Sequence, residues 1–165
     1  DSVIVGKTLG AQSLAAVGST SIIIYFVFCF INGFTGGFGI CLGQRCGAKD
    51  EEGMRKSVAV STMLSIVFTI VLTLICCLLA HEILYLMQIP KDIEQEAYDY
   101  MFVVLLGTGA TVFYNMISNM LRALGDSKTP LYFLVFSSVL NIFLDILFIV
   151  PFQMGVAGAA WATIL

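Results

Sequence analysis

Asn141 and Asp145 stand four residues apart inside an apolar run covering residues 130–151. That run has the length of a membrane-crossing helix, which needs roughly 20 residues. A carboxylate in such a place costs about 2.5 kcal/mol or more. Four-residue spacing puts both side chains on one helical face, one turn apart. Ser137 and Ser138 lie one turn further back, on or near that face. Carboxylate, amide and hydroxyl oxygens along one stripe are the groups that meet water or hold a hard cation.

A second polar set is Thr108, Thr111, Asn115, Ser118, Asn119 and Arg122, which recur at three- or four-residue steps. This face points at protein or water and away from lipid. It reads either as interhelical hydrogen bonding or as the lining of a substrate cavity; Thr111, Asn115, Asn119 and Ser138 are the candidate lining residues. Ser57, Ser61, Ser65, Thr69 and Thr73 recur every fourth residue. Such a stripe is a helix contact surface, with a pathway lining as the sharper alternative. His81, the one histidine, reads as a solvated anchor at a membrane edge. Cys29, Cys41, Cys46, Cys76 and Cys77 show no C-x-x-C spacing and read as small apolar packing residues.

The elements that must position these groups follow from composition. Of 165 residues, 59% are hydrophobic and only 12% charged. Soluble domains carry about 25% charged residues. With several long apolar runs, the expectation is an all-α membrane protein, a polytopic transmembrane helix bundle. The net charge of -3 removes a basic nucleic-acid footprint. About four complete spans are expected at residues 13–42, 57–80, 96–121 and 130–150, with truncated ones at 1–5 and 156–165. Residues 45–56 and 81–95 are expected as loops outside the lipid. Gly33 and Gly37, and likewise Gly39, Gly43 and Gly47, form small-xxx-small ridges for close helix contact. The chain opens on Asp1-Ser2-Val3-Ile4-Val5 and closes on Ala162-Thr163-Ile164-Leu165, which both read as cut spans, so a fragment is expected. Arg45, Lys49, Arg55, Lys56, Arg122 and Lys128 fall on one side, and only Lys7 and Lys91 on the other. The richer side is cytoplasmic by the positive-inside rule.

Five short stretches, in this order and at these spacings, resemble the multidrug and toxic compound extrusion (MATE) transporters. Asp1-Ser2-Val3-Ile4-Val5-Gly6 followed by Leu9-Gly10 is similar to the end of that family's first helix, and Leu14-Ala15-Ala16-Val17-Gly18 to the start of its second. Gln44-Arg45-Cys46-Gly47-Ala48 resembles its inner loop after helix two. Leu121-Arg122-Ala123-Leu124-Gly125-Asp126 resembles the turn after helix four, and Gly155-Val156-Ala157-Gly158-Ala159-Ala160 the entry to helix six.

The resemblance implies a twelve-helix fold in two six-helix lobes that alternate between inward- and outward-open states, with most of the first lobe present here. It implies a coupling-ion site on helices one, five and six. Carried over residue by residue, that site is Asp1, Asn141, Asp145 and Thr163, with the backbone carbonyl of Ala159 assisting. No cofactor is implied; the coupling ion is Na+ or H+, and the four side chains are metal ligands only if it is sodium. Oxygen groups of this kind suit sodium, while two carboxylates close together in a low-dielectric medium hold a proton more readily. The implied partners are the lipid bilayer, a small organic substrate and the missing C-terminal lobe of the same chain, with no nucleic acid. The implied location is the prokaryotic plasma membrane.

The leading expectation is therefore a non-enzymatic, cation-coupled antiporter exporting amphipathic or cationic organic compounds. A lipid-linked oligosaccharide flippase of the same superfamily is the alternative, but it calls for a cationic cavity and the mid-span charges here are acidic. An intramembrane aspartyl protease using Tyr98-Asp99 and Leu124-Gly125-Asp126 is a third reading. Against it, Ala123 replaces the expected glycine and Asp126 adjoins Ser127-Lys128 in a polar turn.

Overall fold

The structure is a computed structural model, and it describes residues 2–164. The described residues form seven helices and no strand. They are α1 (Ser2–Thr8), α2 (Ala11–Gly47), α3 (Glu51–Leu86), α4 (Lys91–Leu106), α5 (Thr108–Ala123), α6 (Lys128–Ile149) and α7 (Gly155–Ile164). Three of them, α2, α3 and α6, are long and apolar enough to cross a membrane. The α4–α5 pair makes a fourth span if counted as one, bent by 43°. The chain is thus a multi-pass helical membrane bundle, as its composition requires.

The helices run past the expected span limits, and the loops shrink accordingly. Residues 45–56 were expected outside helix, yet α2 continues to Gly47 and α3 starts at Glu51. Local chemistry explains the extension. Asp50 caps α3, its carboxylate accepting the Gly53 N–H at 2.9 Å. Glu51 and Glu52 follow in the first turn, where the helix dipole favours negative charge. Lys56 pairs with Glu52 one turn on, at 2.6 Å. The Gly53 N–H, and then the Arg45 guanidinium beside it, hold the Asp50 carboxyl below its ordinary range. Likewise residues 81–95 narrow to a short link, because α3 reaches Leu86 and α4 begins at Lys91. Asp126 plays the same capping part before α6, accepting the backbone N–H groups of Lys128 and Thr129 at 3.1 and 3.0 Å. Hydrogen bonds from Thr129, side chain first and then backbone, keep its carboxyl low. Gly125, at φ 92°, makes the reversal just before it.

The helix α2 is the spine. Its residues Val17, Thr20, Ile24, Val27, Ile31 and Thr35 recur at three- and four-residue steps and are all buried. That stripe faces α4 and α5. Lower down, Gly39 and Gly43 let α5 approach closely. A Cβ on Gly39 would lie 3.0 Å from the Asn119 carbonyl oxygen, and one on Gly43 3.7 Å from Ala123 Cβ. The expected ridge is confined to those two glycines. A Cβ on Gly33, Gly37 or Gly47 would meet nothing within 4 Å among the described residues.

The serine–threonine stripe of α3 is a contact surface. Ser61 and Ser65 are buried, the Ser65 hydroxyl donates to Met116 Sδ on α5 at 3.1 Å, and Thr69 Cγ2 packs under Gly109. The cysteines are less uniform than expected. Only Cys76 is buried, while Cys29 and Cys41 are exposed. Cys29 lies on an exposed face of α2, and Cys41 lines the seam between α2 and α3.

Residues 96–121 were expected as one continuous span and are two helices instead. The break falls at Gly107. No proline causes it. The side chain of Ile164 on α7 occupies the place where a Cβ on Gly107 would be. Thr108 closes the gap, its hydroxyl donating to the Leu105 carbonyl.

Candidate functional site

The short helix α7 determines the site's geometry. Gly158, Ala159, Ala160 and Ala162 make it thin enough to seat between α4 and α6. A Cβ on Gly158 would already press on the Phe148 and Met154 Cβ atoms at 3.1 Å. Close seating brings polar groups of three helices together. The Asn141 amide of α6 donates through Nδ2 to the Ala162 carbonyl at 3.1 Å. Its amide oxygen remains as an acceptor. The Thr163 hydroxyl donates to the Ala159 carbonyl at 2.9 Å. One turn along α6 from Asn141, Asp145 is fully buried at 0% exposure.

Tyr100 of α4 completes the group and was not singled out from the sequence. It is buried, and its hydroxyl lies close to Thr163 and within the field of Asp145. A signal existed. Ile93, Ala97, Tyr100 and Val104 recur at three- and four-residue steps as the inward stripe of α4, and Tyr100 is the hydroxyl-bearing member of it.

Asp1 lies outside the described residues. The helix that follows it, α1, contacts both α2 and α6. Asn141, Asp145, Thr163 and the Ala159 carbonyl are brought into one neighbourhood. Their donors are amide, hydroxyl, carboxylate and peptide oxygens, the set that hard monovalent cations prefer. Among the described residues, no three His, Cys, Asp or Glu side chains gather as a metal cluster would require.

Asn141 and Thr163 also face a cavity of about 520 Å³ framed by α5, α6 and α7. Thr111 and Ser138, two of the four candidate lining residues, border it together with Tyr114 and Ser137. The other two, Asn115 and Asn119, do not. Asn115 donates to the Thr111 carbonyl of its own helix at 2.8 Å. Asn119 donates to the Thr35 hydroxyl of α2 at 3.3 Å and accepts from Arg122 at 3.5 Å. Those two side chains make local and interhelical hydrogen bonds, because the lower part of α5 lies against α2.

Two further sequence readings can be placed. His81 is exposed and meets Tyr98 edge-on, with ring centroids 6.2 Å apart. The aspartates of the protease reading stand far apart, Asp99 in the middle of α4 and Asp126 beyond the end of α5, roughly 40 Å along the helices. Asp99 accepts from Gln95, and Asp126 caps α6. They form no dyad.

Comparison with known proteins gives a consistent result. The MatE family model matches residues 1–147. The probable multidrug resistance protein YpnP of Bacillus subtilis (strain 168) is 38% identical over 165 residues, covering 100% of this chain and 37% of that protein. The probable multidrug resistance protein NorM of Thermotoga maritima is 29% identical over 159 residues, or 93% of this chain and 34% of that one. A crystal structure of MATE in the bent conformation superposes with a TM-score of 0.94 at 31% identity, over 99% of this chain and 36% of that one. An inward-facing multidrug resistance MATE family transporter of the MOP superfamily gives 0.93 at 31% identity, over 99% and 37%. The chain spans little more than a third of the length of these relatives.

Proposed function

The chain belongs to the MatE family, and on that premise we propose that it supplies most of the first lobe of a cation-coupled antiporter exporting amphipathic or cationic organic compounds. The observation that carries this reading is the convergence of Asn141, Asp145 and Thr163 behind a cavity wall, with Asp145 fully buried. A buried intramembrane carboxylate beside oxygen donors from other helices is a site for Na+ or H+. The cavity it borders takes the organic substrate. The relatives' names, as multidrug resistance proteins, support that substrate class. Two of them come from bacteria, which supports a prokaryotic plasma membrane as the location.

Coupling follows from where the groups sit. An ion shifts a conformational equilibrium only by binding the two states differently. Asn141 and Asp145 belong to α6, Thr163 to α7 and Tyr100 to α4, so the ion's affinity depends on how closely these three helices pack. A state with α7 seated binds the ion tightly, and a state with α7 displaced loses the Thr163, Ala159 and Ala162 contacts at once. Ion arrival and cavity shape are thereby linked.

The test uses the full-length protein in inverted vesicles. Asp145→Asn keeps the side chain's size and is expected to abolish export while leaving expression and thermal stability close to the parent's. Export by that variant at the parent rate would refute the coupling role. In the same vesicles, loss of export when potassium replaces sodium at fixed pH assigns sodium. Unchanged export that collapses with the pH gradient assigns the proton.

A further inference from the structure

A second cavity, of about 680 Å³, lies in the seam between α2 and α3, lined by none of the residues of the ion and substrate sites. Its walls change character along its length. Phe34 and Phe38 of α2 face Val60 and Leu64 of α3 deep in the seam. Arg45, Asp50, Glu52 and Lys56 ring the other end, where α2 finishes and α3 begins. The apolar stretch is firm, since the Phe34 ring stacks on Phe68 with centroids 3.9 Å apart. It is also open, because Gly37 lines it and a Cβ there would meet nothing within 4 Å. Apolar depth, with charge at the helix ends, is the polarity profile of a membrane phospholipid seated along a helix pair.

The charges at the mouth specify the headgroup. They are two cations and two carboxylates, already paired as Arg45 with Asp50 at 2.9 Å and Lys56 with Glu52 at 2.6 Å. Both pairs are well exposed to solvent, so they are weak and can exchange partners. An anionic glycerol headgroup would satisfy the cations but confront Asp50 and Glu52. A choline headgroup has no N–H to offer those carboxylates. Phosphoethanolamine matches both signs: its phosphate meets Arg45 and Lys56, and its ammonium has three donors for Asp50 and Glu52. We propose that the α2–α3 seam is a binding site for a phospholipid with a phosphoethanolamine headgroup.

The full-length transporter is purified in mild detergent and offered phosphatidylethanolamine, phosphatidylcholine and phosphatidylglycerol with identical acyl chains. Bound lipid is read by native mass spectrometry, so the result is independent of whether the protein exports anything. The parent is expected to retain phosphatidylethanolamine about five- to ten-fold over the other two, as one or two charge-assisted hydrogen bonds would give. Asp50 caps a helix, so the charge test uses Glu52→Gln, which is expected to erase the preference over phosphatidylcholine. Gly37→Leu fills the open wall without touching a charge and is expected to lower retention of all three lipids. Equal retention of phosphatidylethanolamine and phosphatidylcholine by the parent overturns the proposal. So does a Gly37→Leu protein that keeps its lipid. A photo-crosslinking side chain at position 37 that captures a later segment of the chain, and no lipid, assigns the seam to the protein itself and also overturns it.

Discussion

Asn141 donates through its amide nitrogen to the Ala162 carbonyl, and Thr163 through its hydroxyl to the Ala159 carbonyl, so both residues are oriented by the backbone of α7. The Tyr100 hydroxyl is close to Thr163 and to Asp145. Tyr100→Phe is expected to leave folding intact and to raise the ion concentration needed for half-maximal export about three- to ten-fold, the worth of one hydrogen bond. An unchanged ion dependence would remove Tyr100 from the site. Asn141 and Asp145 were legible in the sequence because a carboxylate and an amide on one face of an apolar run must find polar partners from neighbouring helices. Tyr100 was less legible, since tyrosine belongs as naturally to a membrane interface as to a site. Asn115 and Asn119 show the limit from the other direction. Periodicity gives the face of a helix but not the neighbour opposite, and Thr35, some 80 residues away, is what Asn119 meets.

Among the elements, α2 shows which glycines matter and why spacing alone does not say so. Gly37 and Gly39 are two residues apart in a glycine-rich run. One faces open space and the other faces the backbone of α5. Gly39→Ala pushes on a carbonyl that cannot rotate away and is expected to cost about 1–3 kcal/mol, as overpacking does. Gly37→Ala adds helix propensity with no clash and is expected to be neutral or slightly stabilising. Thermal unfolding of the two variants in the same detergent checks the contrast, and equal melting temperatures would contradict the packing described for α2 and α5. The number of spans was readable from hydropathy. The helix ends were not, because the caps and ion pairs at Asp50 and Glu52 extend helices through charged residues that a hydropathy window treats as loop. The break at Gly107 was hidden for a different reason: the side chain seated against it, Ile164, belongs to another helix.

At the scale of the molecule, α6 is the exposed member of the bundle. Of its residues only Pro130, Asp145 and Ile149 are buried. Tyr132, Phe133, Phe136, Val139 and Phe143 are more than half exposed. Such a face is lipid-covered or belongs against a further part of the relatives' longer chains. The cavity beside it is framed by α5, α6 and α7 alone, which is too few helices to enclose an organic substrate. Expressed alone and reconstituted, the 165-residue chain is expected to give no dye efflux above empty vesicles. Efflux at the level of the full-length protein would contradict the proposal that this chain supplies one lobe of two.

The wedge of Ile164 against Gly107 has a mechanical consequence. Helix α5 starts at that contact and runs 16 residues, about 24 Å. Its far end is held to α2 by the close approach at Gly39 and Gly43 and by the Asn119–Thr35 hydrogen bond. A change in how α7 seats is therefore expected to move the Gly107 end of α5 and leave the Arg122 end in place, which spin-label distances to α2 measured at both ends would check.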